Sequence, residues 1–420
     1  MIKGIKIKDN KKDIDENIII YKRPEYVYIP LVVYEKTDCE CLVNIGDKVL
    51  KGSVIGRRND QFQIPIHSTI SGTVIGIEEK YYLNGMQVKC VKIENDFIEK
   101  QDNLRGAKYY ITSYSKEDFI SLLKNCAVIG MGGSGFPTYL KYQKELNTII
   151  VNAVECEPFI NSDYQTALMY TEDILEGIDA IMEINNIEQG IIAINENNKE
   201  IKDKFEHYLG TYPKIKISMV KDIYPMGWER MLIQNVLNIT YDKLPSEAGI
   251  VVNNINTIYA IYIALKYRRP LSSRIITVTG DGIEEVKNIR VKIGSSMKDI
   301  IKQYFPYKEA DKVLFVAGGP MMGNCIATDD LIVTKSLNGI LITNDTDEEA
   351  LPCIRCGRCI TVCPVNINPI IIKDNVNDYN MLKDLHPEKC IECGLCSYIC
   401  PSKIKIRERV RQAKKEIRRH

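Results

Sequence analysis

Cys353-Ile-Arg-Cys356-Gly-Arg-Cys359-Ile-Thr-Val-Cys363-Pro364 is echoed, with 26 residues between Cys363 and Cys390, by Cys390-Ile-Glu-Cys393-Gly-Leu-Cys396-Ser-Tyr-Ile-Cys400-Pro401. Each run sets three cysteines at three-residue intervals and a fourth just before a proline. A loop with thiolates three apart wraps three corners of a tetrahedral iron–sulfur cluster, and the fourth thiolate must come from elsewhere. Where two such runs occur together, the fourth cysteine of each ligates the other cluster. Cys353, Cys356, Cys359 and Cys400 are therefore expected on one [4Fe–4S] cluster. Cys390, Cys393, Cys396 and Cys363 are expected on a second. Gly357 and Gly394 let the loop backbone approach the sulfides. Structural zinc is the alternative, since it also takes four cysteines, but it has no need of the Cys-Pro step.

The rest of the 420-residue chain is ordinary by composition. It is 45% hydrophobic and 26% charged, as a soluble globular protein is. With 56 basic and 55 acidic residues it has no global field to attract nucleic acid. Of its 14 cysteines, eight lie in the two runs, so the pattern is a local metal site and not a secreted disulfide scaffold. The start, MIKGIKIKDNKKDID, lacks the apolar core of a signal peptide. No stretch approaches the roughly 18 apolar residues of a membrane span. The expected location is the cytoplasm, or the inner face of the membrane through a partner.

Outward from the cysteines, four further regions separate. Residues 1–97 read as short Gly-punctuated strands, above all VNIGDKVLKGSVIG (Val43–Gly56) and IHSTISGTVIGIE (Ile66–Glu78). Both phrases resemble the biotinyl/lipoyl barrel-sandwich family. The turn Arg57–Gln61, where that family carries a cofactor lysine, has none. Residues 98–112 read as a connector. Residues 113–270 alternate helix and strand patterns, which predicts an α/β domain. Residues 271–345 return to strands with one helix, the order of a β-grasp domain. Residues 346–401 hold the clusters. Residues 402–420 form a basic helix, expected to be a solvated face or a docking element.

Within the α/β region, Gly130-Met-Gly132-Gly133-Ser-Gly135-Phe136-Pro137-Thr138 packs four glycines into six positions. Bare backbone of this kind suits a phosphate or a flat ring, although a ligand-free turn or a Rossmann loop also satisfies the pattern.

Here the sequence resembles a family. GMGGSGFPTYLK (Gly130–Lys141) and VNAVECEPFINSDY (Val151–Tyr164) are similar to the flavin loop of RnfC subunits of Rnf-type electron transport complexes. They are also similar to the NADH-oxidising FMN subunit of respiratory complex I. YPMGWE (Tyr224–Glu229), VVNNINT (Val251–Thr257) and GGPMMG (Gly318–Gly323) resemble further family phrases, so the resemblance spans nearly the whole chain. It implies a multi-domain α+β and α/β protein: barrel-sandwich hybrid, FMN-binding domain, β-grasp domain and two-cluster ferredoxin-like domain. It implies FMN and two [4Fe–4S] clusters as cofactors, with NADH as electron donor. Gly130, Gly132, Gly133, Gly135 and Lys141 would cradle the FMN phosphate and ribityl chain. Asn152, Glu155, Asn253 and Asn254 would contact the flavin. Glu157 and Glu229 would border the nicotinamide as the catalytic carboxylates, and Phe136 would stack on the dinucleotide.

The chain also departs from these relatives. Met131 and Val154 replace an arginine and an aspartate of the complex I pattern. KGIKIKD and Val32-Val-Tyr-Glu-Lys replace the usual N-terminal phrases of RnfC. The expected partner is a redox protein, either a soluble reductase such as proline reductase or the membrane Rnf subunits, with the departures favouring the former. Cobalamin reductases of the same superfamily fit less well by domain order. A non-catalytic electron wire that keeps the clusters without oxidising NADH is the rival. Cys156 is read as a small packing residue or a redox thiol, and Cys39 and Cys41 as ordinary thiols or a relay. Cys90, Cys126 and Cys325 are expected in the core. His67 is expected to pack rather than to ligate, and Trp228 to pack or to touch the flavin.

Overall fold

The runs TIIVNA and GIIAIN are apolar apart from Thr148, Asn152 and Asn195 near their ends, as strands covered on both faces are. They form the middle of a parallel sheet ordered Ile215–Val220, Gln189–Asn195, Thr148–Ala153, Ile250–Asn254. Ile149 and Val151 face one core and Ile150 the other, so alternate residues of one strand are buried on opposite sides. The helices Thr171–Ile184 and Ile255–Tyr267 pack together over one face. The computed structural model describes residues 3–11, 14–21, 23–33, 39–102, 111, 113–308, 313–344 and 349–419. Most of the expected connector, and Tyr34, Glu35 and Lys36 of the departing N-terminal phrase, lie outside the described residues.

The N-terminal region folds as two facing antiparallel sheets. One is ordered Tyr26–Pro30, Gln87–Asn95, Gly72–Tyr81, Lys48–Val49, the other Cys39–Cys41, Val54–Arg58, Pro65–His67. Ile55, Ile70, Val74, Val91 and Ile93 fill the space between, each worth roughly 1.5–3 kcal/mol by burial. Gly72 is obligatory, because a Cβ there would stand 1.9 Å from the Glu94 carbonyl oxygen.

A six-stranded mixed sheet follows, ordered Asp15–Tyr21, Lys287–Lys292, Ser273–Thr279, Gly339–Asn344, Val313–Ala317, Asn324–Ile326. Its helix, Met297–Tyr304, starts at Ser296, whose hydroxyl accepts from Asp299 N–H, and buries Ile300 and Ile301. The edge strand Asp15–Tyr21 belongs to the stretch expected with the barrel, yet it pairs in parallel with Lys287–Lys292.

In the cysteine region the long interval between the runs folds into helices Pro369–Asp374 and Tyr379–Leu385, capped by Asn368 and Asp378. Both pack on the C-terminal helix Ile406–Arg419. That helix is more than a solvated face: Ile406, Val410 and Ala413 are buried against the cysteine loops. Cys90 and Cys126 are buried as expected, but Cys325 is exposed. The reason is its strand, Asn324–Ile326, which pairs only with Val313–Ala317 and ends the sheet.

Candidate functional site

The four parallel strands place their carboxyl ends along one edge, where sheets of this kind bind ligands. Asn152 and Asn254 lie opposite each other on neighbouring strands at that edge. The glycine turn reaches the same place. Met131 N–H donates to Thr257 Oγ1 at 2.9 Å, and a Cβ on Gly132 would stand 3.0 Å from Asn254 Nδ2. Gly133 has φ +101° and nothing within 4 Å of its missing Cβ, so bare backbone faces open space. Phe136 closes the turn, its carbonyl accepting from Gly130 N–H at 2.8 Å.

Lys141 Nζ donates to the Val252 carbonyl at 2.7 Å and stands 3.6 Å from Glu229 Oε2. The Tyr241 hydroxyl donates to the other Glu229 oxygen at 3.2 Å. Asn152 Nδ2 donates to the Gly227 carbonyl at 2.8 Å. Asn253 is buried and its amide nitrogen donates to the Tyr142 hydroxyl, while its Oδ1 has no partner among the described residues. Bare glycine backbone for a phosphate, a lysine beside it and amides for a ring edge together fit a flavin nucleotide.

Of the expected residues, the glycine turn, Lys141, Asn152, Glu229, Asn253 and Asn254 come together. The other two carboxylates are engaged elsewhere. Glu155 accepts from the N–H groups of Asp163 and Tyr164 at 2.8 and 2.9 Å, capping the helix Ser162–Met169. Burial and the Asp163 charge hold its carboxyl above the ordinary range. Asp163 in turn accepts from the amides of Asn254 and Asn256, so Glu155 stands one layer behind the edge. Glu157 accepts at one oxygen from Met321 N–H at 2.8 Å and Met322 N–H at 3.1 Å. Burial raises its carboxyl, and those two N–H groups oppose the rise. Met131 and Val154 are packed in the core and present no polar group to a ligand.

The two cysteine loops share one backbone form. Cys353 Sγ accepts from Arg355 N–H at 3.4 Å, and Cys390 Sγ from Glu392 N–H at 3.3 Å. Arg355 and Glu392 have φ 54° and 58°, and Gly357 and Gly394 have φ 72° and 80°. A short helix follows each, Arg358–Thr361 and Leu395–Tyr398. Cys363 lines one cavity together with Cys390, Cys393 and Cys396. Cys359 lies within the electrostatic reach of Cys356 and Cys400. Burial pushes the Cys393 and Cys396 thiols up to about 12, so a thiolate there needs positive charge beside it, which iron supplies. Among the described residues no three His, Cys, Asp or Glu side chains gather around a single ion position.

A contact that sequence reasoning missed joins the sheet edge to the cysteines. The Tyr224 hydroxyl donates to the Cys393 carbonyl at 2.7 Å. Tyr224, Met321, Cys393 and Leu395 form one buried cluster, with Cys156 packed against it. Arg407 bonds the carbonyls of Met321 and Gly323, fastening the Gly318–Gly323 turn to the C-terminal helix. Asp163, Thr257 and Tyr142 were also missed as supports. Asp163 and Thr257 stood inside the quoted phrases, and Tyr142 follows Lys141 directly. Cys156 Sγ accepts from Gly227 N–H at 3.4 Å, and burial pushes its thiol up to about 12, as fits a packing residue. His67 is buried and held down to about 3 by burial.

Fold and residues define an iron–sulfur flavoprotein of the electron-transport class. Three family models match the chain: the RnfC barrel sandwich hybrid domain over residues 1–98, the Nuo51 FMN-binding domain over 123–263, and a 4Fe-4S dicluster domain over 334–404. The chain is 31% identical over 363 residues to the RnfC subunit of the Na(+)-translocating ferredoxin:NAD(+) oxidoreductase complex of Acetobacterium woodii, spanning 84% of this chain and 82% of that one. It is 32% identical over 385 residues to the counterpart in the proton-translocating complex of Clostridium ljungdahlii, spanning 88% and 82%. With the corresponding subunit of the ion-translocating oxidoreductase complex of Vibrio cholerae it shares 32% identity across 87% of this chain and 49% of that one. The chain belongs to the RnfC family, and its cofactors are FMN and [4Fe–4S] clusters. A chain of an NAD+-reducing [NiFe]-hydrogenase shares the fold, with a TM-score of 0.52 at 14% identity over 75% of this chain and 66% of that one. Among the described residues no helix is long and apolar enough to cross a membrane.

Proposed function

We propose that this chain oxidises NADH and delivers the electrons singly to a partner protein. Bound FMN supplies the conversion of a hydride into single electrons, and the clusters supply one-electron storage. The observation that carries this reading is the buried cluster of Tyr224, Met321 and Cys393, which joins the end of the parallel sheet to the second cysteine loop.

Gly130, Gly132, Gly133, Gly135 and Lys141 hold the phosphate and ribityl chain. Asn152, Asn253 and Asn254 orient the ring, with Glu155 and Asp163 fixing Asn254. Phe136 and Glu229 border the nicotinamide. Glu157 ties that site to the Gly318–Gly323 turn. Cys363 completes the cluster of Cys390, Cys393 and Cys396, and Cys400 that of Cys353, Cys356 and Cys359. We read the six-stranded sheet as a β-grasp domain. The partner is best sought among membrane Rnf subunits, since the relatives matched over 82% of their length are parts of such complexes. The protein then sits peripherally at the inner face of the membrane. A soluble reductase such as proline reductase is the alternative partner.

The test is anaerobic reconstitution with iron, sulfide and FMN, followed by NADH. About eight irons and one flavin per chain are expected, with NADH bleaching both flavin and cluster absorbance. Bound flavin that NADH never bleaches favours the electron-wire reading. Failure to bind flavin overturns the site.

A further inference from the structure

A second cavity, of about 330 Å³, opens where the barrel, the parallel-sheet domain and the six-stranded sheet meet. Its size is in the range of roughly 300–1,000 Å³ usual for small-molecule sites, which favour such domain junctions. None of the flavin-edge residues lines it. Among the described residues its walls carry five cations, Arg23, Lys51, Arg269, Arg290 and Lys292, against one carboxylate, Glu99.

The charge is unbalanced within the wall itself. Lys51 and Lys292 both pair with Glu99, at 3.0 and 2.8 Å, and one carboxylate cannot neutralise two ammonium groups. Lys292 is buried, and burial presses it down to about 8 even with Glu99 beside it. Arg269 donates to a neutral acceptor, Gln101 Oε1, at 2.9 Å. Arg290 lies over the Tyr170 ring at 5.7 Å, a contact that adds no negative charge. Tyr170 stacks on Tyr259 with centroids 4.1 Å apart, and Tyr259 forms an apolar wall of the cavity. Clustered, partly desolvated cations without matching anions are costly until a multivalent anion joins them. Guanidinium groups bind phosphate oxygens through paired N–H donors.

We infer that this cavity binds a compact polyanion of the pyrophosphate or phosphate-ester class, held by Arg290, Arg269 and Lys292 from three sides. The probe is inorganic pyrophosphate, titrated calorimetrically into the reconstituted holoprotein at about 50 and 200 mM salt. Saturable 1:1 binding is expected, weakening with salt. Arg290→Gln should weaken it about tenfold or more, with flavin and cluster absorbance unchanged. Arg269→Gln, at a less buried position than Lys292, gives a second reading if Arg290→Gln folds poorly. ADP and phosphatidylglycerol vesicles are then tested as displacers. Displacement by one of them identifies a nucleotide or a lipid headgroup as the source of the phosphate. Displacement by neither leaves the free inorganic anion. Absence of binding, or equal affinity in wild type and both variants, overturns the inference.

Discussion

The two cysteine loops have the same spacing, the same left-handed residues and the same N–H to sulfur bond, yet opposite surroundings. In the first loop Cys353 and Cys356 are exposed, and Leu351 and Ile354 are 62% and 67% exposed beside them. In the second, Cys393 and Leu395 are buried against Tyr224 and Met321. Gly357 has nothing within 4 Å of its missing Cβ, whereas a Cβ on Gly394 would stand 2.5 Å from the Met321 carbonyl oxygen. Local sequence therefore sets the shape of a cluster loop, and tertiary packing sets its role. On the proposed function, the buried loop is the one next to the flavin and the exposed loop the one a partner reaches.

Removing a ligand from each loop separates these roles most sharply. Cys393→Ser and Cys353→Ser should each lower iron from about eight to about four per chain, measured by iron assay. Both should abolish turnover with the protein acceptor, but only Cys353→Ser should retain NADH reduction of the remaining cluster.

The glycines come next. Gly394→Ala adds a clash to a left-handed strain and should cost about 3 kcal/mol or more. Gly357→Ala meets only the strain and should cost about 1 kcal/mol. Denaturant unfolding of the holoprotein measures the gap, and equal costs would break the comparison.

Tyr224→Phe leaves the Cys393 carbonyl without its donor and should cost about 1 kcal/mol. Only one of the two cluster potentials should move, as read by redox titration.

The smallest effect concerns Glu157. Its carboxyl is raised by burial, so the folded chain keeps a proton where the unfolded chain has lost it. That stability is present below the ordinary carboxylate range and is lost as pH rises through the raised value. Glu157→Gln keeps an acceptor for the Met321 and Met322 N–H groups and removes the charge. As pH rises above the ordinary carboxylate range, its stability should fall less than the wild type's, as measured by denaturant unfolding at a series of pH values.

Much of this was legible in the chain. Cysteine spacing foretold the loops, because a cubane imposes a local geometry that the sequence must match. The alternation of helix and strand patterns over 113–270 foretold an α/β domain, and its strands form the four-stranded parallel sheet. What could not be read was non-local. Nothing in DENIIIY shows that Asp15–Tyr21 pairs with Lys287–Lys292. The Tyr224–Cys393 bond crosses 169 positions. Cys325 was misread because an apolar neighbourhood does not tell an edge strand from a central one. The motif set Glu155 with the flavin contacts and Glu157 beside the nicotinamide, and it could not show that Glu157 accepts from the N–H groups of Met321 and Met322.

The central claim is that the buried loop lies between NADH and the exposed loop. Freeze-quench EPR after mixing the FMN-reconstituted variants with NADH tests it directly. Cys353→Ser should show a reduced cluster at the earliest times, and Cys393→Ser should show none from the exposed loop. Prompt reduction of the exposed cluster in Cys393→Ser would contradict the order of the two loops.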